Sequence, residues 1–169
     1  MSQDLYEPIR TDLRQGDIFE PLPSASLAGS AQNPIAELSK NSYRSILLNQ
    51  SCDLDKGYKK LVVLPVLPLH LRNATDQNLI KKNRIFASLY LPAFGSSFPD
   101  CFVSFPEPTT VARSLLEACN RVVSLSEVGR RSLYIQYTRW LTRWTLAEIS
   151  CPQCGVAFSP SDALPIENT

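Results

Sequence analysis

The most specific arrangement in the sequence is Cys151-Pro152-Gln153-Cys154-Gly155. Proline after the first thiol and glycine after the second make a turn that aims backbone N–H groups at two thiolates on one metal ion. Redox CxxC pairs generally open a helix, whereas Gly155-Val156-Ala157-Phe158 reads as turn then strand, a context for Zn2+ rather than thiol exchange. A closed zinc site takes four ligands. The completing pair would come from Cys52, Cys101, Cys119 and His70, or from a second molecule, and an unmetallated thiol turn is the plain alternative. A second stretch is Asn49-Gln50-Ser51-Cys52-Asp53. Ser51 or Cys52 would serve as a nucleophile with His70, the single histidine, as base, or Cys52 and Asp53 would ligate a metal. The simpler reading is a structural turn, since Asp satisfies backbone groups in turns and a buried thiol is inert. A third set is Arg130, Arg131, Arg139 and Arg143, interleaved with Tyr134, Tyr137, Trp140 and Trp144. Arg139 and Arg143 are spaced i,i+4. Such a face can stack on and neutralise RNA, or anchor a protein partner, or consist of core aromatics beneath solvated arginines.

The elements that must hold these residues come from pattern and composition. The chain has 169 residues, 44% hydrophobic and 20% charged, which predicts one soluble domain, with or without a small appendage. A net charge of +1 excludes coating of duplex nucleic acid by bulk charge. Thirteen prolines against six glycines argue for short strands and stiff loops rather than a helical bundle. Met1–Arg10 has no apolar signal-like core, and Leu61–Leu69 is too short to span a bilayer. Five cysteines, an odd number, fit a reducing compartment. The expectation is a cytoplasmic protein with no membrane association.

Arg14–Phe19 reads as a turn feeding a short strand, with Gly16 and Asp17 at its entry. Residues 21–42, rich in Pro, Ser, Ala, Gly and Asn, read as a long loop, with room for a helical turn at Ile35–Lys40. Tyr43–Asn49 and Lys60–Val66 are nearly continuous apolar runs joined by a Gly-ended polar turn, hence central antiparallel strands, with Pro65 ending the ladder. A short helix is predicted at Thr75–Lys81, strands at Arg84–Leu91 and Cys101–Phe105 around a Gly95–Pro99 turn, and weaker strands at Thr109–Ala112 and Arg121–Leu125. Ser114–Asn120 is ambiguous. From Ser126 the period changes: Leu133, Tyr137, Trp140, Leu141 and Trp144 define a helix to about Glu148, with Ser124 and Glu127 as its capping box.

Two resemblances attach to these residues. Gln15-Gly16-Asp17-Ile18-Phe19, then Arg44-Ser45-Ile46-Leu47-Leu48 and Leu61-Val62-Val63-Leu64-Pro65-Val66, resemble the MazF/PemK group of toxin endoribonucleases over roughly residues 14–70. That resemblance implies an SH3-like small barrel that cleaves single-stranded RNA without metal. It also implies an arginine opening the second strand, here Arg44, and a hydroxyl closing the third, which falls on about Leu67. Leucine neither donates a hydrogen bond nor relays a proton. The CPxCG turn resembles half of a zinc ribbon.

The expected fold is therefore mainly β: a small antiparallel barrel over 1–125 containing the 21–42 loop, a C-terminal amphipathic helix over 126–149 packed on it, and a cysteine-bearing tail over 150–169. No catalytic set is complete; Arg44, Ser51 and Asp53 are the catalytic candidates, Arg44, Gln50, Cys52, Arg139, Arg143 and Trp140 the binding candidates, and Cys151 and Cys154 the metal candidates. The leading expectation is a non-catalytic MazF-like binding module, an accessory or regulatory subunit docking a protein partner in a bacterial toxin–antitoxin or defence-type system. The alternatives are a metal-independent endoribonuclease using Arg44 with Ser51 or Asp53, and a zinc-containing nucleic-acid-binding protein. RNA and a second copy, as a homodimer, are the other partners considered.

Overall fold

The computed structural model describes residues 5–29, 34–40, 43–142, 149–150 and 157–158. Arg143, Cys151 and Cys154 lie outside the described residues, as does the expected end of the C-terminal helix.

Eight short strands form one antiparallel sheet: β1 (Tyr6–Glu7), β2 (Asp17–Phe19), β5 (Arg44–Leu47), β6 (Lys60–Pro68), β7 (Ser88–Leu91), β8 (Cys101–Ser104), β9 (Thr109–Ala112) and β10 (Arg121–Leu125). The order is β1-β10-β2-β5-β6-β8-β7, with β9 also on β6. The sheet curls into a half-barrel, and Tyr6 on one edge strand donates its hydroxyl to the Pro92 carbonyl just beyond β7, the other edge, at 2.6 Å. Its ring packs 4.9 Å from Phe94 and 5.9 Å from Phe98. Tyr6 thus staples the two ends of the sheet together.

Both faces of the central strands are buried, which is why they read as continuous apolar runs rather than alternating ones. Ile18, Ile46, Leu64, Val66 and Val103 share one core with Leu133 of helix α4 (Glu127–Thr142). Phe19, Leu47, Leu61 and Val63 face the other way, under Leu54 of α1 (Ser51–Asp55) and Leu116 of α3 (Arg113–Ala118). Farther along that second face, Phe102 and Leu67 pack with Ile80 of α2 (Ala74–Lys81).

Pro65 does not end the ladder, contrary to expectation. It sits opposite Ser45, and β6 continues to Pro68. Val62 directs its N–H to Asn49 and its C=O to Leu48, on the β5 side, so by alternation Pro65 faces the other side. There β6 changes partner, from β9 at Lys60–Val63 to β8 at Val66–Pro68. The missing donor falls in the gap between the two partners, where no ladder bond is lost.

Residues 21–42 are not a long loop. They hold an antiparallel ribbon, β3 (Pro23–Gly29) with β4 (Pro34–Lys40), in register from Pro23↔Lys40 to Gly29↔Pro34. The Ile35–Lys40 helical turn is likewise replaced by strand. Ala and Ser carry little β propensity, so the strands leave a faint trace in composition. The predicted Arg84–Leu91 strand begins only at Ser88, after a turn centred on Phe86 and Ala87 and closed by the Ser88 N–H on the Ile85 carbonyl. Ser114–Asn120 resolves as helix α3. Short strands β11 (Ile149–Ser150) and β12 (Ala157–Phe158) pair with each other.

The cap of α4 is also shifted. Ser126, not Ser124, accepts the Gly129 N–H through its hydroxyl at 3.2 Å, while Ser124 lies in β10 and donates to Asp17 Oδ1 at 2.6 Å. Gly129 is required by packing. A Cβ there would stand 2.6 Å from the Leu5 carbonyl and 3.0 Å from Leu125 Cβ. Gly129→Ala is expected to lower stability by about 1–2 kcal/mol, the overpacking outweighing alanine's better helix propensity. Urea denaturation measures it; an unchanged or raised midpoint would show that α4 can shift away from Leu5 without loss.

Candidate functional site

Arg44 opens β5 opposite Val66, on the face of the first core. Its guanidinium lies 5.3 Å over the Phe98 ring and donates through Nη2 to the Ser97 carbonyl at 3.1 Å. The loop that receives it is itself pinned. Asp100 Oδ1 accepts from the Tyr90 hydroxyl and the Ala93 N–H, both at 2.8 Å, and Oδ2 meets Lys81 Nζ at 3.3 Å. Burial acts to raise the Asp100 pKa, but the Tyr90 hydroxyl, the Ala93 N–H and Lys81 together hold it below the ordinary carboxylate value. Cys101, buried beside this network, is no thiolate: burial pushes its pKa up to about 11, against the opposing pull of Arg44.

The partner that the MazF/PemK resemblance implies for Arg44 is not beside it. Leu67 packs on the second face with Leu69, Ile80 and Phe102, so Arg44 and the hydroxyl-equivalent position lie on opposite faces of the sheet. Ser51 and Asp53 are no closer. They follow the far end of β5, in α1, where Asp53 Oδ1 faces Lys56 at 3.9 Å and Arg113 donates to the Leu54 carbonyl at 2.7 Å.

The Asn49–Asp53 segment is a strand-to-helix turn held by side chains. Asn49 Oδ1 accepts the Val62 N–H at 2.6 Å, and Gln15 donates to the Leu48 carbonyl at 2.7 Å. Cys52 Sγ lies 3.6 Å from Gln50 Oε1. His70 is exposed in the single helical turn Leu69–Leu71 beyond β6. About 20 Å of strand, from Val62 to Pro68, separates it from Cys52. The nucleophile–base pairing of Ser51 or Cys52 with His70 is therefore not assembled. Among the described residues no group of three or more His, Cys, Asp or Glu is placed to hold a metal, and no helix is long and apolar enough to cross a membrane.

The basic helix divides. Arg130 is not a solvated arginine: Nη1 pairs with Glu7 Oε1 at 2.6 Å and with the Leu125 carbonyl at 2.7 Å, and both side chains are mostly buried. Trp140 and Tyr137 pack against Phe105 at the edge of the first core. Leu141, expected inside, is exposed. Arg139 remains toward the surface, stacked 5.2 Å over the exposed Phe86 ring and donating to Gln136 Oε1 at 3.1 Å.

One buried polar centre was missed. Asp17, only 1% exposed, accepts from Ser124, from the Arg14 N–H at 2.8 Å and from Arg121 Nη1 at 3.2 Å. Arg121 also donates to the Thr11 and Asp12 carbonyls, both at 2.8 Å. The sequence signal was an ionisable residue inside an otherwise apolar strand, which is almost never buried unless paired. Its side-chain partners, Arg121 and Ser124, lie more than a hundred positions away, so the pairing itself was unreadable. Compared with known protein families and with curated proteins, the chain matches no family model and no curated sequence.

Proposed function

We propose that this chain is a non-catalytic, MazF/PemK-like binding module, an accessory subunit that docks a protein partner in a bacterial toxin–antitoxin or defence-type system. The observation that carries the reading is the state of Arg44. Its guanidinium is occupied by the Phe98 ring and the Ser97 carbonyl, and the position that would supply a hydroxyl is a leucine on the other face of the sheet. A phosphate-cleaving arginine needs a proton-relaying group within hydrogen-bond reach of the same phosphate. Docking is supported by the exposed Phe86 ring with the half-buried Arg139 stacked on it, an arginine–aromatic pair of the kind that anchors protein interfaces.

The test is incubation of the purified chain, and of Arg44→Ala, with single-stranded RNA of mixed sequence in EDTA. The expected result is no product above the buffer control for either protein. Arg44-dependent cleavage would overturn the reading in favour of a metal-independent endoribonuclease.

A further inference from the structure

We propose that the outer edge of β9 takes an extended segment of a protein partner, which joins the sheet as a further strand; the assignment deepens the docking reading above and rests on it. The alternation of the ladder shows which backbone groups are available. Val62 turns both of its groups toward β5. Leu61 and Val63 therefore turn theirs toward β9, where they meet Val111 and Thr109. The Arg113 N–H on the Lys59 carbonyl, at 2.9 Å, continues the same alternation. Thr110 and Ala112 thus face away from β6, and among the described residues no strand pairs with β9 on that side. Both residues are exposed. The Ala112 carbonyl is spent on opening α3. The Thr110 N–H, the Thr110 C=O and the Ala112 N–H are left directed at solvent.

The other edges of the main sheet are guarded. On β7 the Ser88 N–H is taken by the Ile85 carbonyl at 3.1 Å and the Tyr90 N–H by Asn83 Oδ1 at 3.2 Å. The two-residue β1 is stapled to Pro92 through Tyr6. The β9 strand carries none of these protections. Thr109, Thr110 and Val111 are strand formers, the register on β6 runs without a bulge, and neither a charge nor a proline interrupts the strand. Donors and acceptors at strand spacing are what the backbone of an extended peptide complements.

Side chains beside this edge select the segment. Lys60 stands opposite Ala112 in the ladder, both exposed, and Lys60 makes no ion pair among the described residues. A residue opposite Ala112 on the added strand shares that face, about 10 Å from Lys60 at two strand spacings. With only a methyl group between them, a lysine and a glutamate span that gap, so this position takes a carboxylate. Of the nearby carboxylates, Glu117 is already held by Arg113 at 2.8 Å, and Glu107 lies beyond the opposite end of β9. The position opposite Thr110 takes a β-branched residue, which packs against threonine across the pair. In an antiparallel segment the carboxylate comes two residues before it.

The experiment is a ¹⁵N-HSQC titration of the full chain with the acetylated, amidated octapeptide SGEVTVSG. The comparison probes are SGKVTVSG and the first peptide N-methylated at its threonine, which cannot donate from that residue. Saturable shifts centred on the amides of Thr110, Val111 and Ala112 are expected with the first peptide. Binding roughly ten-fold weaker or worse is expected after N-methylation, and roughly three-fold weaker with the lysine peptide. Thr110→Pro, which deletes an outward donor and no ladder bond, should block the first peptide, whereas Thr110→Val should leave its binding unchanged. Should Thr110→Pro fail to fold, the N-methylated peptide decides by itself. Shifts centred away from β9, no binding of the first peptide, undiminished binding after N-methylation or by Thr110→Pro, or equal binding of the lysine peptide would each overturn the assignment. So would shifts of the same amides on concentrating the protein alone, which would give the edge to a second copy. These readouts are separate from Arg44-dependent RNA cleavage, the result that overturns the docking reading itself.

Discussion

Asp17→Ala is expected to destabilise the protein by roughly 3–5 kcal/mol, the cost of breaking a buried ion pair from one side. The carboxylate meets three donors from three parts of the chain: the Arg14 N–H, the Ser124 hydroxyl and the Arg121 guanidinium. Removing it leaves a mostly buried arginine without its counter-charge and a buried hydroxyl without an acceptor. For a chain of this length the loss corresponds to a fall in Tm of roughly 10 °C. Asp17→Asn, which keeps the shape and one acceptor oxygen, should lose about half as much, by roughly 2 kcal/mol. A double-mutant cycle with Arg121→Ala should return a coupling energy of at least about 1 kcal/mol. A single-mutant loss under about 1 kcal/mol, the scale of an exposed ion pair, would mean that water replaces the carboxylate at no cost, and the centre would not be what joins β2 to β10.

The second large effect belongs to Tyr6. Tyr6→Ala removes the ring that packs on Phe94 and Phe98 together with the bond to the Pro92 carbonyl. A loss of roughly 3–5 kcal/mol is expected from the cavity and the missing contacts. Tyr6→Phe, which loses only the hydrogen bond, should cost about 1 kcal/mol. Because this residue joins the two edges of the sheet, amide exchange in Pro92–Asp100, the loop that receives Arg44, should accelerate in both variants, more in alanine. Unchanged exchange there would show that the half-barrel keeps its curl without the staple.

The same residue sets an alkaline limit on stability. Burial raises the Tyr6 and Tyr90 phenols above their ordinary value of 10.0, with nearby Cys101 and Asp100 adding to the rise. The folded state therefore holds these protons when the unfolded chain has released them. Their contribution is complete below pH 10 and declines as pH rises above it. Denaturation midpoints measured from pH 8 to pH 11 should fall with pH, and less steeply in Tyr6→Phe.

How far the sequence reached can be seen in single residues. Ile46, Leu47, Leu61, Val63 and Leu64 declared central strands because a strand buried on both faces leaves no polar alternation to misread. Leu133, Tyr137 and Trp140 declared the packed face of α4 through helical spacing. The Asn49–Asp53 turn was legible by its residue types, but the bond that holds it was not: Asn49 accepts from Val62 on the neighbouring strand rather than from a local backbone group. Arg130 was misassigned for the opposite reason: its value depends on Glu7, far away in sequence, and an arginine in a helix looks the same whether paired or solvated. The β3–β4 ribbon was missed because residues such as Ser24, Ala25, Ser26 and Ala28 are indifferent to strand or loop, so pairing rather than propensity decides.

By itself the sequence determined that this is a mainly β chain with an amphipathic helix near its end, because hydrophobic period and turn chemistry act over a few residues. It also determined that leucine stands where the endoribonuclease resemblance implies a hydroxyl. Only the tertiary structure decided which side chains meet. It put Arg44 on Phe98 and Leu67 on the other face, and kept His70 far from Cys52. Those outcomes turn on strand register and the parity of each position, and a register is set by the partner strand rather than by the strand's own residues.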